Sequence, residues 1–249
     1  MPAPNPTWTV ALDGGTTNTR ARLLCGSRLV AVARRPVGVR DAVLSSGSGP
    51  LAAAVRAALE DVGRQAGGIV PDRIVAAGML TAEVGLCPVP HVPAPAGLDE
   101  LARGVVLRVL PKVADRPIAF IPGVRTPPGD GPDGWAEADV MRGEECETLG
   151  ALRALGLAGP AAFVWPGSHT KLVAVDADGR IARSHTTLAG ELTAALARHT
   201  LLAASLPADW PDEPDPEALA AGSRLAERDG LGRAAFLVRI ADLTRSLPD

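Results

Sequence analysis

Apolar and polar positions alternate with period two at the start of the chain. Trp8, Val10 and Leu12 are separated by Thr9 and Ala11, the pattern of a strand with one face inward. Asp13 closes that strand, Gly14-Gly15 offers a turn whose backbone can take positive φ, and further strands follow from Thr19 to Leu24 and from Leu29 to Ala33. Three short strands in succession predict an antiparallel meander. The period then changes to helical, with Leu51, Val55, Ala58, Leu59 and Val62 on one face. Arg73 to Ala77 reads as a short buried strand, Leu98 to Leu110 as a helix, Ile118 to Ile121 as a strand, and Asp139 to Leu155 as a helix with an acidic first turn, which the macrodipole favours. Pro88, Pro90, Pro93 and Pro95 predict an irregular passage between them.

From 161 the schedule begins again. Strands are expected at Phe163–Trp165, Lys171–Val175 and Ile181–Thr187, with Asp178-Gly179 as a hairpin turn. A helix from Gly190 to Ala204, an acidic proline-rich loop over 207–216, and helices at Glu217–Arg228 and Ala234–Leu243 complete the order. The two halves share a plan without sharing sequence, which sets the expected domains at 1–158 and 159–249.

Composition changes this picture little. An apolar fraction of 47% over 249 residues suffices for a packed core, and a net charge of −3 gives no reason to expect nucleic acid as a partner. Cys25, Cys87 and Cys146 are far apart with no CxxC, which fits a reduced, cytoplasmic compartment. Residues 1–6 have neither the basic start nor the apolar core of a signal peptide. No apolar run approaches the roughly 20 residues that span a bilayer, so no membrane association is expected.

The chemistry gathers at two turns. Asp13, Gly14, Gly15, Thr16, Thr17 and Arg20 place a carboxylate, clustered amides, two hydroxyls and a guanidinium around one hairpin. Such a set suits a phosphate chain and its Mg²⁺, the metal meeting Asp13 through its waters; a hairpin whose polar residues merely bond the turn reads equally well. Gly167, Ser168, His169, Thr170 and Lys171 offer amides, hydroxyls and a cation at the second turn, without the spacing of a P-loop. Gly129-x-Gly131-x-x-Gly134 matches a dinucleotide fingerprint in letters only, because Pro132 interrupts it and no helix is expected directly after it.

Taken together, the motifs resemble those of the 2-dehydro-3-deoxygalactonokinases, sugar-acid kinases of the actin/hexokinase/Hsp70 superfamily. The resemblance is carried by Asp13 to Arg20, Ala77-Gly78-Met79, Ile121-Pro122-Gly123, Asp139 to Glu145, Pro166 to Lys171, and Gly190-Glu191-Leu192 with His199-Thr200-Leu201, in the family's order. It implies an α/β, two-domain actin/hexokinase-like (ribonuclease H-like) fold with a cleft between the domains, the second domain incomplete because the chain stops at Asp249. It also implies transfer of phosphate from ATP, with Mg²⁺, to the C6 hydroxyl of 2-dehydro-3-deoxy-D-galactonate in galactonate catabolism. Asp13 would serve the metal, and the two loops the phosphates. Glu144 is the favoured general base, as its Gly143-Glu144-Glu145 context is similar to that of superfamily exopolyphosphatases, and Asp139 is the second choice. Arg125, Arg142, Glu145 and Glu191 are the candidates for the sugar acid. Against these roles stand an ordinary Arg142–Glu145 pair on a helix face, and an N-cap at Asp139. A phosphoanhydride hydrolase and a non-catalytic binding form remain alternatives, and a homodimer is compatible with the reading.

Overall fold

The computed structural model describes residues 6–45, 47–207 and 213–244; the expected loop over 207–216 lies in part outside the described residues. The period-two start folds as expected. Strands β1 (Trp8–Gly14), β2 (Thr19–Cys25) and β3 (Arg28–Arg35) form an antiparallel meander, with Asp13 opposite Arg20 and Gly14 opposite Thr19. Helices α1 (Val39–Leu44) and α2 (Gly49–Gln65) follow, and α2 lays Leu51, Val55, Ala58 and Val62 on β2 and β3. β4 (Arg73–Gly78) then pairs in parallel with β1, as a strand reached through a helical crossover must.

The middle of the chain departs from expectation. The segment read as one helix from 98 to 110 divides into α3 (Leu98–Gly104) and β6 (Val106–Leu110), after the two-residue β5 (Val92–Pro93). Gly104 marks the break, because a Cβ there would lie 2.9 Å from Pro122 Cγ and 3.0 Å from Val92 Cγ2. β6 runs antiparallel to β7 (Ala114–Phe120), with a register shift between Arg108 and Leu110. That irregularity accommodates Pro117, which cannot donate to a ladder. The resulting sheet has the order β3-β2-β1-β4-β7-β6; its core includes Val10, Leu12, Leu23, Leu51, Ile118 and Phe120.

β8 (Val124–Thr126) and β9 (Asp139–Met141) complete a small sheet with β5, in the order β5-β8-β9. The helix expected from Asp139 therefore begins only with α4 (Glu144–Ala154), because Gly143 adopts φ 116° and cannot continue a helix backwards. β10 (Ala161–Trp165), β11 (Thr170–Val175) and β12 (Ile181–Thr187) form a third sheet in that order. Val173, Val175 and Ile181 join Leu101, Val124, Met141, Leu149 and Leu152 in a second core. α5 (Ala189–His199), α6 (Pro216–Asp229) and α7 (Leu231–Thr244) end the described chain. The helix expected to run to Ala204 ends at His199, where Thr200 becomes extended and its hydroxyl accepts from Leu202 N of a short 3₁₀ turn.

Contacts gather the chain into two compact units, residues 1–165 with 171–186, and residues 166–170 with 187–249. Among the described residues no helix is long and apolar enough to cross a membrane. Phe120 is fully buried in the first core, whereas Leu107 on β6 is 62% exposed. Phe120→Ala is expected to destabilise the protein by about 3–5 kcal/mol, and Leu107→Ala by about 0.5 kcal/mol or less. Urea denaturation with tryptophan fluorescence measures both, and equal losses would show that this sheet is not the core it is described as.

Candidate functional site

Within the first unit, three chain segments converge on Asp13. The β1–β2 turn is closed by Gly15 N–H donating to Asn18 O at 2.8 Å, and Thr16 and Thr17 stand exposed on it. Neither Gly14 nor Gly15 uses the positive φ expected of the turn. Gly14 is required for space instead, since a Cβ there would sit 2.5 Å from Leu80 Cγ. The second segment is Gly78, at φ 68°, where a Cβ would meet Gly14 O at 2.7 Å and Asp13 Oδ1 at 3.2 Å. The third is Gly143, at φ 116°, whose Cβ position lies 3.4 Å from Gly78 Cα. Backbone packed on backbone in this way brings the N-terminus of α4 to the end of β1.

The result is a set of acidic side chains around Asp13. Asp13 is half-exposed and meets Arg20 Nη1 at 3.4 Å. Glu144, the first residue of α4, is half-buried, and its Oε2 is sealed from solvent without a hydrogen-bond partner. Glu147 is held above the usual carboxylate range by burial first, then by the charges of Asp13 and Glu144, with Arg22 and Arg20 opposing. Glu145 is 1% exposed and turns back, both carboxylate oxygens accepting from Gly143 N–H at 2.9 and 2.8 Å. Its burial pushes the carboxyl up to about 7 against the pull of those bonds. The Cys146 thiol donates to Glu145 Oε1 at 3.7 Å and is pushed far up by burial and by Glu145, which keeps it from acting as a nucleophile.

The family model for 2-keto-3-deoxy-galactonokinase matches residues 13–249, from the first of these carboxylates to the chain's end. The chain belongs to that family. Among its relatives it is 32% identical to the 2-dehydro-3-deoxygalactonokinase of Escherichia coli K12 over 95% of this chain and 70% of that one. It is 38% identical, over 52% of this chain and 39% of the other, to a candidate 2-dehydro-3-deoxygalactonokinase of Rhizobium meliloti strain 1021. A crystal structure of a candidate 2-dehydro-3-deoxygalactonokinase from Sinorhizobium meliloti superposes with a TM-score of 0.76 at 27% identity, covering 96% of this chain and 73% of that one. The fold is accordingly the actin/hexokinase-like fold that the motifs imply.

In this galactonokinase-family chain the other residues singled out in the sequence fall in several places. Arg142 precedes α4 and forms no helical pair with Glu145. Its guanidinium donates to Thr81 Oγ1 at 2.7 Å and Val89 O at 2.6 Å and contacts His91 Nδ1 at 3.3 Å. Arg125 is exposed on β8. Asp139 lies on β9 rather than at a helix cap, and its Oδ2 accepts from Thr186 Oγ1 at 2.9 Å. Lys171 is 6% exposed, and its ammonium donates to Val140 O at 2.9 Å and Thr186 Oγ1 at 2.7 Å; it is thus engaged within the first unit.

The remainder of the second turn belongs to the other unit. Gly167, Ser168 and His169 are exposed, and Glu191 N–H at the start of α5 donates to Ser168 O at 3.0 Å. His169 Nε2 lies 3.3 Å from Glu191 Oε1. Gly190 permits this approach, because a Cβ there would come 2.8 Å from Ser168 Cα. A hollow of about 400 Å³ between loop and helix is lined by Gly167, Thr170, Gly190, Thr193 and Arg198.

Sequence reasoning did not assign roles to Gly78, Thr81, Gly143, Glu147 or Thr186. The Ala77-Gly78-Met79 and Gly143-Glu144-Glu145 motifs were visible signals, but nothing local says that their glycines touch. Glu145 also gives the site a pH signature. Its raised folded pKa means that the native protein holds the proton more tightly than the unfolded chain does. Its contribution to stability is present below the unfolded carboxylate pKa and is lost as pH rises through about 7. Tm measured across pH 5 to 8 is expected to fall in the wild type and to flatten in Glu145→Gln; an unchanged slope in the variant would assign the effect to another group.

Proposed function

We propose that the chain transfers the γ-phosphoryl of ATP to the C6 hydroxyl of 2-dehydro-3-deoxy-D-galactonate, with Glu144 as general base. The observation that carries this reading is the half-buried Glu144 carboxylate, with one oxygen lacking a partner, at the head of the helix that three glycines pack toward Asp13. Phosphoryl transfer asks little covalent chemistry of the protein and depends on positioning and charge. As the C6 oxygen forms its bond to phosphorus, its proton passes to Glu144, and the bond from phosphorus to the bridging oxygen of ADP breaks. Asp139 is the second choice for the base; its carboxylate already accepts from Thr186.

The Gly14 to Thr17 loop supplies amides and hydroxyls for phosphate oxygens, and the Gly167 to Thr170 loop carries groups of the same kind in its own unit. Arg20 can exchange Asp13 for a phosphate oxygen. His169 adds a donor held by Glu191, and Lys171 braces the strand that follows the loop. The residues suit Mg²⁺: Asp13 is a half-exposed carboxylate beside which Glu144 and Glu147 add negative charge. Mg²⁺ characteristically takes one or two carboxylates with substrate phosphates and keeps its waters. The half-exposed Asp13, at the centre of an acidic excess, is the residue to hold it. Bound there, the ion would neutralise charge on the phosphoryl oxygens. At the sugar-acid end Arg125, which pairs with no carboxylate among the described residues, is the cation for the carboxylate, while Arg142 and Glu145 hold the surrounding backbone.

A coupled assay of ADP release tests the reading. ATP consumption is expected only when the sugar acid is present, and Glu144→Gln is expected to lower kcat by roughly 10²–10⁴-fold while sugar-acid binding persists. ATP turnover at the same rate without the sugar acid would make the protein a hydrolase instead, and full turnover in Glu144→Gln would move the base to Asp139.

A further inference from the structure

His91 stands at a junction the reaction has reason to use. It lies immediately before β5, beside Gly123, which immediately precedes β8; Val92 N–H donates to Gly123 O at 2.9 Å. A Cβ on Gly123 would lie 2.8 Å from both His91 Cδ2 and Arg142 Cγ, and would also strike Met141 O. The glycine of Ile121-Pro122-Gly123 therefore leaves room for the Met141 carbonyl, the imidazole and the Arg142 stem. There Arg142 Nη2 meets His91 Nδ1 at 3.3 Å. A guanidinium only donates, so Nδ1 accepts and the ring proton resides on Nε2. Nε2 has no partner among the described residues and is not sealed from solvent.

The charges around the ring are unequal. Arg142 faces Glu145 and Glu83 as well as His91. The charge of Arg125 also bears on His91, yet among the described residues no carboxylate pairs with Arg125. Burial and these two arginines hold the imidazole below its ordinary pKa, which preserves the neutral Nε2–H form. One neutral donor on the residue before β5 and one unbalanced cation on the adjacent strand β8 offer complementary groups to a single anion.

We propose that His91 Nε2–H, with Arg125, binds the 2-oxo-carboxylate head of the sugar acid, Arg142 fixing the tautomer that makes this donor available. This rests on the kinase reading above. The run Asp13, Gly78, Gly143, Arg142, His91 is continuous contact within one unit. A six-carbon acid has its carboxylate at the opposite end from the hydroxyl offered to Glu144, so one end of the substrate meets each end of that run. Recognition of the carboxylate then sets which sugars present a C6 hydroxyl for phosphorylation.

Two substitutions separate this role from a structural one. His91→Asn keeps an acceptor near the Nδ1 position for Arg142 and removes the Nε2 donor, whereas His91→Gln places an amide N–H near the Nε2 position. The KM for 2-dehydro-3-deoxy-D-galactonate is expected to rise by roughly 10–100-fold in His91→Asn, the effect of losing a hydrogen bond to a charged group. It should rise less in His91→Gln, with kcat and the KM for ATP near wild type in both. In ¹⁵N-histidine-labelled wild-type protein, the same sugar acid added without ATP is expected to shift the His91 Nε2 resonance, with the Nε2–H tautomer kept throughout. A wild-type KM in His91→Asn, or an Nε2 signal that ignores the sugar acid while the enzyme turns it over, overturns the inference and leaves the kinase reading intact. An Nε2 shift in wild-type protein that shows no ATP turnover supports the inference and removes the kinase reading.

Discussion

Everything at the site depends on how closely three backbone segments approach. Gly14, Gly78 and Gly143 stack without side chains between them, two of them at backbone angles that other residues rarely adopt. A Cβ on Gly14 would strike Leu80, one on Gly78 would strike the Gly14 carbonyl, and Gly143 holds a backbone angle of 116° that a side chain would strain. The catalytic proposal is thus a consequence of packing before it is one of chemistry. The same closeness accumulates negative charge, which Arg20 and Arg22 offset from β2 and which the N-terminal amides of α4 favour. Glu145 manages the remainder by burial: it closes its carboxylate on the Gly143 amide and stands near 7 instead of in the ordinary carboxylate range.

A second device holds the small sheets in place. Lys171 on β11, Thr186 on β12 and Asp139 on β9 form a chain of hydrogen bonds, with the Val140 carbonyl as a further acceptor. A buried ammonium is tolerated only when its donors find acceptors, and here β9 and β12 provide them. This chain fixes β9, hence the start of α4, hence the position of Glu144. The lysine that stands out in the sequence as a candidate phosphate ligand has its ammonium engaged by Val140 O and Thr186 Oγ1.

By itself the sequence determined the elements whose cause is local. Period-two alternation gave β1 to β3 and β10 to β12, and period-3.6 spacing gave α2, because each pattern reports which face of an isolated element will be buried. The Asp13-to-Arg20 hairpin and the family's motif order were legible for the same reason, since their residues are neighbours along the chain. Tertiary structure alone decided the rest. An apolar run from 98 to 110 suits helix or strand, and only the pairing of Val106–Leu110 with β7 divides it. Whether Gly143 begins a helix or interrupts one depends on Gly78, 65 positions away in a different strand. Arg142 finds its acceptors at Thr81 and Val89, and His91 acquires its tautomer from Arg142. A side chain's charge is written in the sequence. Its partner, and therefore its exposure, protonation and use, is set by segments that meet only when the chain has folded.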